Sequence, residues 1–471
     1  MKKVASFILF LCMINSLAFG QSKSLKECID IAWERNINIK QVELNEWNSE
    51  IDLAQAKAAR YPSLNAGTSL NLSGRSVDPT NNQFAANSFY TNNYNLSSNV
   101  LLYRGGQVQQ SIKRAGQNKK SASYQIDDIK QDIALQVANA YINVILSQEN
   151  LGITEKRRDA TSEQIKQVEL LIERGLRPKN AIYDLRSTIA TDEQNVVAAQ
   201  GNLDIAFLNL LQLMNVNQKE RFDLIIPEIV VESITDPFTI NVDELYAKAW
   251  PNQPANKNAN VQIEIAETDK KIAQSGLLPT VAIGGSIGSN YSSLGQMVTG
   301  TQEQVFDQTI LINGLEQTIG FVQQVPSLAD QAYLDQLNQN VTFGYGLSLQ
   351  VPIYNNNNTR ASIQRAELGR KNSDYNKNLA EIQFRNELEQ VLLQAKNAKK
   401  QYEASLVSVD AGKRALDNIK TSFEAGAANT FDLTFASNTY DTALIQSTIA
   451  KYDYIFKAMV IDFYLGRSIN F

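Results

Sequence analysis

The chain of 471 residues contains no histidine. That absence removes the commonest general base, the Ser-His-Asp triad and most zinc sites. The sequence also lacks a G-x-S-x-G elbow, a glycine-rich phosphate loop and a paired-cysteine metal pattern. An enzyme built on it would have to use rarer chemistry, such as paired carboxylates, and no cofactor is implied. Two carboxylates follow glycines at comparable distances. Asp432 lies six residues after Gly426, whereas the same count from Gly175 ends on Ala181, with Asp184 three residues further on. An aspartate in the first turn of a helix complements the helix dipole, which is the plain structural reading. Repeated by symmetry around a narrow mouth, the same groups would draw cations and hold off anions.

The two glycines belong to a larger pattern. "LLYRGGQVQQSIKRA", beginning at Leu101, returns as "PIYNNNNTRASIQRA", beginning at Pro352. At a constant offset of 251 positions Tyr103 meets Tyr354, Lys120 meets Lys371, Gly175 meets Gly426 and Asn215 meets Gly466. Upstream the offset is 217: "SLKECIDIAW" from Ser24 meets "NVDELYAKAW" from Asn241, and Pro62 meets Pro279. The difference places an insertion of 34 residues between Pro279 and Tyr354. The sequence therefore reads as an internal duplication, repeats 21–240 and 241–471, with a spacer near "IIPEIVVESITDPF".

Each repeat opens on a capping signature, Ser24 with Glu27 and Asn241 with Glu244, ahead of an amphipathic helix. The proline ends that helix and strict alternation begins, as in Leu64, Ala66, Thr68, Leu70 and Leu72 against asparagine, glycine and serine. Four such strands are expected, near 63–75, 90–103, 279–291 and 341–354, the second pair enclosing a long loop over 292–340 that holds periodic runs such as "LADQAYLDQLNQN". Strands of about ten residues with one apolar face suit a transmembrane β-barrel, and also a half-buried strand of a soluble sheet. The segment after each hairpin separates the two possibilities. From about Arg104 to Arg174 and from about Thr359 to Glu424 there is no proline, and apolar residues recur at three and four, as in Ile126, Ile129, Ile133 and Val137. Each run predicts a coiled-coil-like helix on the order of 100 Å long, ending in a glycine turn, "IERGLRPKN" or "FEAGAANTFD", with a second helix returning.

Four strands cannot close a barrel, and an open edge in lipid leaves backbone groups unsatisfied at several kcal/mol each. Two chains would supply eight strands and three would supply twelve. Twelve leave room for a lumen, so a trimer suits a conduit. The opening "MKKVASFILFLCMINSLAFGQS" has the layout of a secretory signal peptide over residues 1–20. Cys12 lies inside its apolar run, which leaves Cys28 as the one cysteine of the mature chain. The formal charge of −5 offers no basic face for nucleic acid.

This order of elements resembles the TolC family of outer-membrane efflux channels over nearly the whole mature chain. The features that carry the likeness are the paired "SLKECIDIAW" and "NVDELYAKAW" starts, the Pro62 and Pro279 strand entries, the "LLYRGGQ" and "PIYNNNN" strand exits, and the "RGL" and "AGA" turns. The resemblance implies a mixed α and β membrane protein. Its homotrimer would close a 12-stranded barrel, four strands per chain, in outer-membrane lipid, continuous with a helical barrel in the periplasm. It would be a passive duct, served by an inner-membrane transporter through a periplasmic adaptor protein. Gly175 with Leu176 and Gly426 with Ala427 match the family's adaptor-docking tips, and Asp432 matches an acidic residue at its tunnel entrance. Where the family's constriction carries a basic residue, two after the second glycine, this chain has Ala428; Arg177, two after Gly175, is the candidate substitute. The loop over 292–340 exceeds the family's usual length, so two expectations stand: it covers or narrows the outer mouth, or it is a surface excursion with no gating role. The rival readings are a carboxylate enzyme and a coiled-coil surface protein with some β-structure. The second explains the helices but not the hairpins that interrupt both repeats at corresponding places.

Overall fold

The computed structural model describes residues 22–74, 88–175, 177–217, 222–225, 235–312 and 314–467. The expected signal segment, Leu176, most of the loop between the first two strands and most of the spacer lie outside the described residues. In order the chain forms α1 (Leu25–Arg35), α2 (Ile37–Ala58), β1 (Ser63–Gly74), β2 (Ser88–Arg104), α3 (Gln107–Glu173) and α4 (Ala181–Leu213). Next come α5 (Val242–Ala249), a 3-10 turn (Trp250–Asn252), α6 (Pro254–Ser275), β3 (Thr280–Ser292), β4 (Gln296–Ile312), β5 (Leu315–Asp330), α7 (Tyr333–Gln339), β6 (Thr342–Gln350), α8 (Asn358–Glu424) and α9 (Thr430–Tyr464). The two long helices, α3 and α8, have 67 residues each.

The chain divides into two compact units, and each draws on residues both before and after 240. One consists of Asp52–Ala115 and Glu267–Glu367. Its centre is an antiparallel sheet in the order β1-β2-β3-β6, so the four expected strands are neighbours and β1 and β6 are its two edges. The register turns the alternation into two chemically different faces. Ala66 pairs with Leu96, Leu96 with Ile287 and Ile287 with Phe343, giving an apolar row across all four strands. One position along, Asn65, Ser97, Ser286 and Gly344 form a row of small and polar residues on the other face. The apolar face is bare: Leu64, Leu70, Leu72, Phe343 and Tyr345 are 70% to 87% exposed. Gly105, at the exit of β2, has φ +55°, and a Cβ there would stand 2.6 Å from the Ser275 carbonyl oxygen and 2.8 Å from Leu278 Cβ. Glycine is therefore required at this turn by backbone conformation and by space alike.

The connection from β3 to β6 contains two strands beyond the expected four. β4 and β5 form a separate two-stranded ribbon, joined at Gly314, whose φ is +79°. Of "LADQAYLDQLNQN", with its helical period, only the part within Tyr333–Gln339 is helix; Leu328–Asp330 belong to β5.

The other unit comprises the described residues of Met1–Ile51, Gly116–Ala266 and Leu368–Phe471. Its two main cores repeat one theme, a short helix docked on a long pair. Leu25, Cys28, Ile29 and Ala32 of α1 pack with Ile133, Val137, Tyr141 and Ile145 of α3 and with Leu210 and Met214 at the end of α4. Leu245, Ala249 and Trp250 at the end of α5 pack with Phe384, Leu388 and Leu392 of α8 and Ile461 and Tyr464 of α9. Ser24 and Glu27 make the expected capping box, with Ser24 N donating to Glu27 Oε2 at 2.7 Å and Glu27 N to Ser24 Oγ at 3.3 Å. Asn241 caps differently: its side-chain oxygen accepts from Asp243 N at 2.8 Å. The return helices also end alike. Asn215 at φ +51° donates its N–H to Gln212 O, and Gly466 at φ +80° donates to Phe463 O, in each case followed by a bond from the next N–H to the carbonyl five residues back. This is the Schellman ending.

Candidate functional site

The two tips are built by the same backbone chemistry. α3 stops at Glu173 and Gly175 takes φ +74°, with its N–H on Ile172 O at 2.9 Å. α8 stops at Glu424 and Gly426 takes φ +80°, with its N–H on Phe423 O at 3.1 Å and Ala427 N on Ser422 O at 2.8 Å. A Cβ at either glycine would meet open space, so the left-handed turn alone selects glycine. Beneath the turns Val168 of α3, Leu185 of α4, Phe423 of α8 and Leu433 of α9 form one small core, so both tips share a foundation.

Arg177 ties the tips together. Its Nη2 donates to the carbonyl oxygens of Phe423 at 3.2 Å and Ala428 at 3.3 Å, and its guanidinium carbon stands 4.6 Å from the centre of the Phe423 ring. The cation thereby meets the Phe423 carbonyl at the negative end of α8 and the Ala428 carbonyl of the turn that follows. Asp432 is the third residue of α9 and completes a capping box: its N–H donates to Asn429 Oδ1 at 2.9 Å, and its Oδ2 accepts from Asn429 N at 3.2 Å. It is half-buried, whereas Asp184, in the first turn of α4, is exposed. The structure thus places Asp432 and Arg177 in defined contacts on the second tip.

Sequence reasoning overlooked two features here. The first is aromatic. Phe431 and Phe435 stack at 6.4 Å between centroids on the first turns of α9, and they are 71% and 65% exposed. Their signal is the spacing of four in "TFDLTF" around Asp432. The second is an ionic cluster further along the helices. Arg157 of α3 holds Nε 2.7 Å from Asp192 Oδ1 of α4 and 3.8 Å from Asp441 Oδ2 of α9, and its Nη2 donates to Asn438 Oδ1. Thr161 Oγ1 donates to the second oxygen of Asp192 at 2.6 Å, and Ser437 Oγ to Asp441 Oδ2 at 3.3 Å. Asp192 has a fully buried side chain. Burial, reinforced by Asp192 and opposed by Arg157 and Ser437, raises the Asp441 carboxyl above the ordinary aspartate value. Elsewhere, burial pushes the Cys28 thiol up to about 12.

A duct needs an apolar outer face in lipid, a polar inner face, and an end that can be held shut; the sheet and the tied tips supply those chemistries. The model of the family described as outer membrane efflux protein matches residues 28–216 and 245–467. The outer membrane protein TolC of Escherichia coli (strain K12) is 22% identical over 474 residues, covering 99% of this chain and 87% of that protein. The TolC of Vibrio cholerae serotype O1 is 21% identical over 422 residues, covering 88% of this chain and 84% of the relative. Among solved structures, CusC superposes with a TM-score of 0.72 at 15% identity over 96% of this chain and 94% of its own. The Campylobacter jejuni outer membrane channel CmeC gives 0.68 at 13% identity, over 93% and 84%. The fold is that of these channels, and the family is one of channels, not of enzymes. The chain belongs to the outer membrane efflux protein family and is an efflux channel of the outer membrane.

Proposed function

We propose that this chain is the passive exit duct of a tripartite export system. Three copies close one twelve-stranded barrel in the outer membrane, the two sequence repeats of each acting as quasi-equivalent staves, and the long helices line a periplasmic tunnel. An inner-membrane pump delivers substrate, and a periplasmic adaptor joins pump to duct. The four-stranded sheet carries this reading. Its order leaves β1 and β6 as edges, and its apolar face is bare over four strands. In lipid, edges must be paired and apolar faces are at home, and repetition of the same chain answers both needs. Uncovered apolar residues on the helices, among them Trp47, Val197 and Val407 at 61% to 73% exposure, give neighbouring copies something to pack on.

In this reading the turns at Gly175, Leu176, Gly426 and Ala427 meet the adaptor. Asp432, repeated three times, forms a cation-attracting ring at the periplasmic entrance, with Asp184 contributing a second. Arg177 keeps the two tips of one chain together while the entrance is closed. The test is single-channel recording in a planar bilayer under asymmetric salt. Wild-type protein should conduct with a preference for cations, and Asp432→Ala should shift the reversal potential toward zero and weaken block by multivalent cations from the entrance side. Protein that inserts without conducting would refute the duct. An unchanged reversal potential in the variant would reduce Asp432 to a helix cap.

A further inference from the structure

The ribbon of β4 and β5 is more than a long loop. Its 17 and 16 residues pair along their length from Gln296↔Asp330 to Ile312↔Leu315, with one irregularity between Val298 and Gly300. Paired residues point to the same face, so the register separates the ribbon's chemistry. Glu303, Asp307, Glu316 and Asp330, its four acids, share one face with the Val305–Val322 pair and Leu311. The other face has no charge: Phe306 pairs with Phe321, flanked by Ile310, Ile319 and Val325, with glutamines between them. No lysine or arginine occurs between Lys271 and Arg360, so the ribbon supplies no cation of its own to the acidic face. Nearly every residue of β5 is exposed, Phe321 by 50%. A lone two-stranded ribbon is marginally stable in water, and one with an apolar face needs a cover.

The root of the ribbon is firmly built. Gln336 of α7 is 2% exposed. Its Nε2 donates to Ser292 O and Gln331 O, both at 3.0 Å, and its Oε1 accepts from Ser292 N at 3.0 Å. Gln331 N donates to Gly295 O at 3.0 Å, and Ser289 Oγ to Leu337 O at 2.6 Å. The ribbon therefore rises from the end of β3 in a fixed attitude.

We propose that the Phe306–Phe321 face packs on the same face of further copies of this chain, so that three ribbons form a crown with an uncharged core over the outer mouth of the barrel. The inference rests on the trimeric duct proposed above. Continuity argues for a second copy as the occupant, because the ribbon lies between β3 and β6, and β6 is the sheet edge that a neighbouring copy covers. Charge argues likewise, since identical faces meet without repulsion only on the uncharged side. The area suffices: a ribbon roughly 50 Å long and 10 Å wide offers on the order of 500 Å² per copy, so three copies together bury about 1,500 Å², above the roughly 1,000 Å² that marks a specific interface. The crown narrows the exit and presents its acids outward.

The test is oxidative cross-linking of purified trimers carrying Phe321→Cys, with Thr318→Cys on the acidic face as control; Cys28 is buried and stays silent. Phe321→Cys should give a covalent dimer on denaturing gels and Thr318→Cys should not. Phe306→Glu with Phe321→Glu should raise conductance while native mass spectrometry still reports three chains. A Phe321→Cys protein whose new thiol reacts with a bulky maleimide but fails to cross-link in intact trimers would overturn the crown and leave the face to another partner. Equal cross-linking from both positions would overturn it as well. Absence of trimers in native mass spectrometry of the wild type would instead mark failure of the duct reading, on which the crown depends.

Discussion

Arg157 holds its Nε 2.7 Å from Oδ1 of Asp192, whose carboxylate is completely buried between α3 and α4. The ion pair, with Thr161 on the other oxygen, is the most enclosed charge contact among the described residues of the helical unit, and Asp441 extends it to α9. Three helices, two from the first half of the chain and one from its end, thus meet at one guanidinium. A buried pair adds little over an apolar substitute, but breaking it strands a charge. Arg157→Met should therefore destabilise the protein by about 3–5 kcal/mol. The double variant Arg157→Met with Asp192→Leu should recover most of the loss. Denaturant unfolding of the two variants checks this, and equal losses would show that the charges are not coupled.

Asp441 gives the cluster a pH dependence. Its carboxyl is raised chiefly by burial, so the folded protein binds this proton more readily than the unfolded chain does. Between the raised value and the ordinary 3.8, stability from this group rises as pH falls. Asp441→Asn removes the cost of holding the charge. The variant should melt higher than wild type above that window, and the gap should close toward pH 4. A gap that widens on acidification would mean that Arg157 dominates Asp441.

The glycines divide by what surrounds them. Gly105→Ala must both adopt φ +55° and displace the backbone at Ser275, so it should impair assembly of the sheet. Gly175→Ala and Gly426→Ala face open space and should each cost only about 1–2 kcal/mol of left-handed strain. Trimer yield on extraction from membranes separates the two classes.

Arg177 is predicted to act on opening. Arg177→Ala removes two hydrogen bonds to the second tip and the stack on Phe423. The entrance should open more often, seen as a higher mean conductance with unchanged ion preference. Arg177→Lys can still donate to the carbonyls but cannot reproduce the planar stack on Phe423, so it should rescue only in part.

Much of this was legible in the sequence because the pattern is local. Alternation from Leu64 to Leu72 places β1, the glycine at 426 ends α8, and Asn429 with Asp432 is the spacing of a capping box. The β4–β5 ribbon left one local trace, Asn313-Gly314, the strongest short hairpin signal. It was hidden because glutamines fill the positions between its apolar residues and a helical period in "LADQAYLDQLNQN" obscured its end. The Arg157 cluster leaves no such trace. Its members lie on three helices, and Asp441 is more than 200 positions from Asp192, so only folding brings them together.

The decisive measurement is a single-particle density map of the protein in a lipid nanodisc. Threefold symmetry and one barrel of twelve strands are predicted, with β6 of each copy beside β1 of the next. A barrel closed within one chain, or a β1 or β6 edge left open in lipid, would contradict the trimeric duct.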